Sequence, residues 1–326
     1  MQSRHDTVLL SEAVEGLMVQ ARDVVVDATI GAAGHFALLH EKLGYEGILI
    51  GIDADRDAVD RAEKVVEGKK QGKNAPKVRV MHDNFRNLDK ILDAVGAAKV
   101  DRVLFDLGWS GYHLDSGRGF SFQTYEPLIM TYGTPAEGES AAELVNSATE
   151  EELSDILYTY GEERFARKIA KSIVQARKKA PILMTDDLVR AVEDGTPDWY
   201  KHRKLHPATK TFQALRIAVN DELGALREGL AAAIDRLGTN GRIAVISFHS
   251  IEDRIVKQMF RDASHEGKGT LVTRKPLTAS AEETARNPRA RSAKLRIFAA
   301  NVEGAALLCV VLAALPVAFG VISYRL

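Results

Sequence analysis

Four acids stand at or just beyond the ends of four β-branched runs: Asp27, Asp53, Asp83 and Asp106. What surrounds each one suggests what it could bind. The stretch DATIGAAGH, residues 27–35, follows the first run and carries Gly31 and Gly34 where a Cβ would obstruct a ligand approaching the backbone. It matches neither G-x-G-x-x-G nor the phosphate-binding P-loop, because the P-loop lysine is absent. Asp53 lies nineteen residues beyond Gly34, the spacing at which an acid accepts hydrogen bonds from both hydroxyls of a ribose, so adenosine is implied. In Asp83-Asn84-Phe85 an acid or amide can read the adenine amino group and a ring can cover its face; Phe85 would serve equally well in the core.

The fourth acid opens FDLGWSGYHLD, residues 105–115, where Gly108 lets a substrate come close and Trp109 and Tyr112 can stack on a base. A later histidine, His249 in SFHSIED, either holds a phosphate or substrate group or is a satisfied structural residue. The nine histidines lack metal-ligand spacing, so no metal is expected. Cys309 is the single thiol, which excludes a disulfide framework and a thiolate zinc site and points to a reducing compartment.

These residues need a frame to hold them. The runs 24–29, 48–53, 78–82 and 100–106 alternate with helical stretches, the pattern of βαβ units and a parallel sheet. Ligands in such sheets sit outside the carboxyl ends of the strands, so all four acids should line one crevice. The alternation then stops: residues 107–140 are rich in Gly, Ser, Tyr and Pro, and a capping box at Thr149 and Glu152 opens a helical region with an apolar stripe through Phe165, Ile169, Ile173 and Ala176. With no strand of their own, residues 113–210 read as a helical insertion. One long helix should resume the main domain from Pro207, since Phe212, Leu215, Val219, Leu223, Leu226, Leu230, Ile234 and Leu237 fall on one face. RIAVISF, 242–248, is a buried strand, and TLVTRK, 270–275, an edge strand.

At 326 residues and 45% hydrophobic the chain holds one large or two moderate domains, and its first residues do not read as a secretory signal. A cytoplasmic protein is expected. The stretch Gly304 to Ile322 carries no charge over nineteen residues, which meets the length and polarity criteria for a membrane span; a buried or oligomer-forming helix is the alternative. The formal charge of −1 conceals segregation: seven Lys/Arg and no acid in 164–179, five and none in 201–216, seven against Glu282 and Glu283 in 274–296. If the three segments meet they form a face that can track phosphates. Such a field argues against a protein or a small molecule as the substrate, and a silent RNA-binding factor would lack cofactor affinity.

The blocks HDTVLLSEAVEGL, DATIGAAGH, GIDADRDA, NFRNL, FDLGWS, LDSGRGFSF, GEERFARKIAKSIV, HPATKTFQALRIAVNDEL, GRIAVISFHSIEDRIVK and NPRARSAKLR follow one another between His5 and Arg296. In this order they resemble the small-subunit ribosomal RNA cytosine N4-methyltransferase family, methyltransferase H. The resemblance implies an α/β, class I S-adenosylmethionine-dependent methyltransferase fold, Rossmann-like with a mostly parallel sheet and an all-helical insertion domain. It implies a cofactor domain from 1–112 and 211–298, a substrate-recognition insertion at 113–210 and an apolar tail at 299–326. The acceptor would be a cytidine in the decoding region of 16S rRNA, within the small ribosomal subunit, with membrane contact through the tail as a further expectation.

Carried over by position, the cofactor contacts fall on Ala33, Gly34, His35, Asp53, Phe85, Asp106 and His113. The family usually has Gly at Ala33 and Gln at His113, and Trp109 and Gly111 replace a commoner small residue and Ser. Asp106 is the expected catalytic residue, either accepting from the cytosine N4 or orienting the amino group of the cofactor. Ring-carbon methylation is disfavoured, because it would require a cysteine nucleophile and Cys309 lies in the apolar tail.

Overall fold

The computed structural model describes residues 7–68, 75–108, 111–133 and 139–301. Seven strands form one sheet: β1 Val24–Asp27, β2 Ile48–Asp53, β3 Lys77–His82, β4 Val100–Asp106, β5 Leu237–Ser247, β6 Gly269–Leu271 and β7 Lys294–Ala300. Their spatial order is β3-β2-β1-β4-β5-β7-β6. The first five are parallel, in register from Val25 against Leu49 and Arg102 to Asp106 against Ile246. β7 runs antiparallel between β5 and β6, pairing Val245 with Arg296 and Thr270 with Ala299.

Alternation along each strand divides its side chains between two cores. Val26, Ile50, Phe105, Val245 and Phe298 face one layer, packed against Leu88, Leu226, Leu230 and Phe260. Val25, Leu49, Leu104, Ile246 and Ile297 face the other, against Leu9, Leu17, Phe36 and Leu39. Both faces are covered, which is why the central strands read as nearly unbroken apolar runs.

A third core lies wholly outside the sheet. Leu128, Val145, Leu153, Leu157, Ile169, Ile173, Leu188, Val192, Phe212 and Leu215 pack together among short helices. Thr149 caps its helix as expected, with Glu152 completing the reciprocal pair. The helical unit is tied to the sheet domain by Glu162, which accepts from Ser250 Oγ at 2.7 Å and from Arg254 at 2.9 Å.

Two expectations are corrected. The long helix is two helices, Thr209–Asn220 and Glu222–Arg236, broken at Asp221 in the left-handed region with φ 43°. The two halves serve different cores: Phe212 and Leu215 pack in the helical unit, Leu226 and Leu230 on the sheet. The apolar period runs on through a break that re-aims the chain, so periodicity alone concealed it. The other difference is β7, which the sequence did not announce because Lys294 and Arg296 interrupt its apolar residues. Arg296 is buried, and its guanidinium is held by Asp253 at 2.6 Å. β6 is the edge strand expected near 270, shortened to three residues.

No helix among the described residues is long and apolar enough to cross a membrane. The stretch 304–322 and the tail beyond it lie outside the described residues, as does Trp109.

Candidate active site

A cleft of about 1130 Å³, its open mouth included, lies over the carboxyl ends of the strands. Gly34, His35, Asp53, Phe85, Asp106 and His113 line it; Ala33 does not. Of the four strand-end acids only Asp53 and Asp106 reach the cleft. Asp27 is fully buried behind it. Asp83 turns away to hold its own turn, accepting from the Asn84 N–H at 2.7 Å and Asn87 Nδ2 at 2.8 Å.

Asp53 is occupied by backbone. One oxygen accepts from the Gly31 N–H and the other from the Asp55 N–H, both at 2.8 Å. Burial pushes its carboxyl up, and these two hydrogen bonds oppose the rise. Gly31 has φ 51° and Ala33 φ 63°, so two left-handed residues bend the chain around this carboxylate. Gly34 is a glycine for a reason the sequence concealed: a Cβ there would run into the Thr7 side chain, which also lines the cleft. Ala33 ends up in the core below, 2% exposed.

Phe85 has both of the roles that were open to it. Its ring meets Phe105 edge-on at 5.5 Å and also lines the cleft beside Asn84. Gly229 gives it room, since a Cβ there would come within 2.7 Å of the ring.

The Asp106 end is built differently. The Asp106 N–H donates to Thr29 Oγ1 at 2.6 Å, fixing the backbone, while the carboxylate Oδ1 is buried with no hydrogen-bond partner among the described residues. Oδ2 lies 3.4 Å from Nδ1 of buried His35. Burial alone would lower the His35 pKa, but Asp106 and Asp27 outweigh it and raise it. Burial raises Asp27 to about 7 against the pull of His35. His35 and Asp106 on the cleft wall thus stand next to the buried Asp27 behind it.

Several residues here escaped the sequence reading. Asp55 is buried, with His113 Nε2 and Arg118 each at 3.3 Å; burial pushes its carboxyl up, but the contact with His113 and the Arg118 charge outweigh this and hold it below the usual value. His113 is thereby anchored, with the rings of Phe120 and Tyr132 each 5.1 Å away. The Tyr132 hydroxyl donates to Glu222 at 3.0 Å, and Arg216 grips the same carboxylate at 2.7 and 2.9 Å. Burial drives the Tyr132 pKa well above its ordinary value. The one signal for this network was the polar run Asn220-Asp221-Glu222, at the helix break.

Glu222, His249 and Glu252 bring ligand atoms within 4.8 Å of one another. Arg216 already supplies a positive charge there, bound to Glu222, and also helps to hold the Glu252 carboxyl low. His249 Nδ1 accepts from the Glu252 N–H at 3.4 Å, so it caps the helix Ser250–His265. That is the structural alternative for this histidine, and its side chain also lines the second hollow, where a ligand-holding role would place it. Tyr112 lines neither hollow; the Arg61 guanidinium covers its ring at 4.1 Å.

A second hollow opens from the Asp106 end and shares Gly108, Phe248 and Arg289 with the cleft. Phe120, Phe122 and Phe212 supply aromatic walls.

The strand order, with one antiparallel strand between the fifth and the sixth, and a polar cleft over the ends of β1, β2 and β4, define a class I methyltransferase, which takes S-adenosylmethionine. The residues present fit that cofactor: a loop bent around Asp53, a ring at Phe85 and an orphaned carboxylate oxygen at Asp106. The chain belongs to the MraW methylase family, which matches residues 2–301. Ribosomal RNA small subunit methyltransferase H of Deinococcus radiodurans is 47% identical over 294 residues, covering 90% of this chain and 88% of the relative. The protein of the same name from Brevibacillus brevis is 43% identical over 309 residues, covering 90% and 96%. A putative rRNA-methylase structure from Clostridium thermocellum aligns with a TM-score of 0.45 at 15% identity, covering 92% of this chain and 98% of that one.

Proposed function

We propose that this methyltransferase acts on ribosomal RNA, adding a methyl group to the exocyclic N4 of a cytidine in the decoding region of 16S rRNA in the small subunit. A cytoplasmic location goes with that substrate. Two relatives at 47% and 43% identity carry a small-subunit rRNA methyltransferase name, and three cation-rich segments suit a polyanion. The observation that carries the finer reading is Asp106 Oδ1, buried and unpartnered where the cofactor cleft meets the aromatic hollow.

The N4 lone pair is conjugated with the ring and is a poor nucleophile. An oxygen that accepts an N4–H hydrogen bond shifts electron density toward nitrogen and fixes its orientation. Asp106 Oδ1 is available for that, and its carboxylate can take the proton that N4 releases, with His35 next to Oδ2 to balance the charge. The cofactor, when bound, supplies an electrophilic methyl group. In this reading Asp53, Phe85, Gly34 and His113 hold it, and Phe120, Phe122 and Phe212 exclude water from the flipped base. Residues 1–112 and 221–298 then form the cofactor domain and 113–220 the substrate-recognition unit, the boundary expected at 210 moving to the helix break at Asp221 because Phe212 and Leu215 pack in the helical core.

The test is mass spectrometry of small-subunit rRNA nucleosides from cells lacking the protein. The expected result is loss of a methyl group on cytosine N4, restored by wild type. A missing methyl on a ring carbon, a sugar oxygen or a protein would reject the acceptor.

A further inference from the structure

Trp199, in the helical unit, is 52% exposed although it is the largest kind of apolar side chain. It does not hang loose. Phe165 and Tyr200 meet it in T-shaped contacts at 5.9 and 5.7 Å, and the Tyr200 hydroxyl is in turn fixed by buried Glu163 at 2.7 Å. Cations gather on this aromatic group: Arg164 lies 5.2 Å from the Trp199 centroid, Lys168 5.9 Å from that of Phe165 and Arg203 5.0 Å from that of Tyr200.

The charges are not balanced locally. Arg164, Lys168, Lys201, Arg203, Lys204 and Arg291 form no ion pair among the described residues, whereas Arg86, Arg216, Arg236 and Arg296 are each gripped by carboxylates. Of the nearby acids, Asp198 faces His202 at 3.5 Å and Glu163 is taken by the Tyr200 hydroxyl. Arg203, Lys204 and Leu205 share a surface hollow with Arg291, so the second and third cationic segments meet there. Arg291 belongs to the turn Pro288–Ser292, whose Arg289 and Ser292 line the aromatic hollow beside Asp106. Cationic and aromatic residues therefore run continuously from the methyl-transfer end of the cleft to Trp199.

We infer that this strip binds an unpaired RNA strand flanking the target nucleotide, with Trp199 stacking on one of its bases and Arg164, Arg203, Lys204 and Arg291 on its phosphates. The inference rests on the rRNA reading above. An unpaired strand is favoured over a duplex because an A-form helix buries its base faces, leaving an exposed indole nothing to stack on. Cations without protein partners are the groups a phosphate backbone neutralises.

The test uses the full chain, a fluorescein-labelled unstructured 20-nucleotide RNA and a duplex of equal length, read by anisotropy over a salt series. Trp199→Ala is expected to weaken single-strand binding roughly five- to a hundredfold, Trp199→Phe to keep most of it, and duplex binding to stay unchanged. Replacing Arg203 and Lys204 together with Gln, both exposed and without an ion pair among the described residues, should flatten the slope of log affinity against log salt by about 1.4. Unaltered single-strand affinity in Trp199→Ala, an equal loss on duplex, or an unaltered slope in the double variant would overturn the inference. Methyl transfer by wild type to rRNA from cells lacking the protein is measured alongside. No transfer with Trp199-dependent strand binding intact removes the acceptor reading and leaves the strip, while transfer with normal Trp199→Ala binding removes the strip alone.

Discussion

The two ends of the cofactor cleft each present a carboxylate, and they treat it in opposite ways. At one end both oxygens of Asp53 are taken by backbone N–H groups of Gly31 and Asp55. At the other, Asp106 has its backbone pinned by Thr29 but keeps one buried oxygen without a partner. A carboxylate tied on both oxygens organises a loop and presents its remaining lone pairs in fixed directions. A buried oxygen left unpaired costs stability, on the order of 1–3 kcal/mol, and such a cost marks a group reserved for something that arrives later. In the proposed reading, the difference separates a binding end from a reacting end.

Variants can break or sharpen that division. The largest effect is expected from Asp53→Ala, which strands two backbone donors and loosens the loop; cofactor affinity measured calorimetrically should fall by on the order of 2–4 kcal/mol. Next is Gly34→Ala, whose new methyl must displace Thr7 from the cleft wall; a loss of about 1–3 kcal/mol in thermal stability or affinity is expected. Asp27→Asn probes the buried acid behind the cleft. The folded-state pKa of Asp27, about 7, lies above its unfolded value, so the native state holds the proton and its advantage is lost as pH rises toward 7. Measured by denaturant unfolding, the stability of the variant relative to wild type should rise between pH 5 and pH 8, by on the order of 2 kcal/mol. The smallest effect belongs to Ala33→Gly, which relieves a left-handed alanine at φ 63° and should add about 0.5–1 kcal/mol of stability.

Much of the sheet was legible because both faces of its parallel strands are buried, which leaves unbroken apolar runs ending in acids. β7 was not, since Arg296 is buried only by virtue of Asp253, a partner 43 residues away in sequence. The site divides along the same line. Asp53 and Asp106 follow from strand ends and spacing, and both reach the cleft. Asp27 and Asp83 had the same local signal, yet the first is sealed behind the sheet end and the second is consumed by its own turn. Tyr132 is brought in by the helical unit and Glu222 by a helix break at Asp221, and neither leaves a periodic trace in the sequence; Asp55 follows β2 directly, and its role shows only in its contact with distant His113.

The division between the two ends is tested most directly by Asp106→Asn, which keeps the shape of the side chain and removes its charge. Cofactor affinity and the single-turnover rate of methyl transfer to small-subunit rRNA at saturating cofactor are measured on the same preparation. The rate should fall roughly a hundredfold or more while affinity changes little. A large loss of affinity with the saturated rate preserved would make Asp106 a cofactor ligand and contradict the assignment of the reacting end.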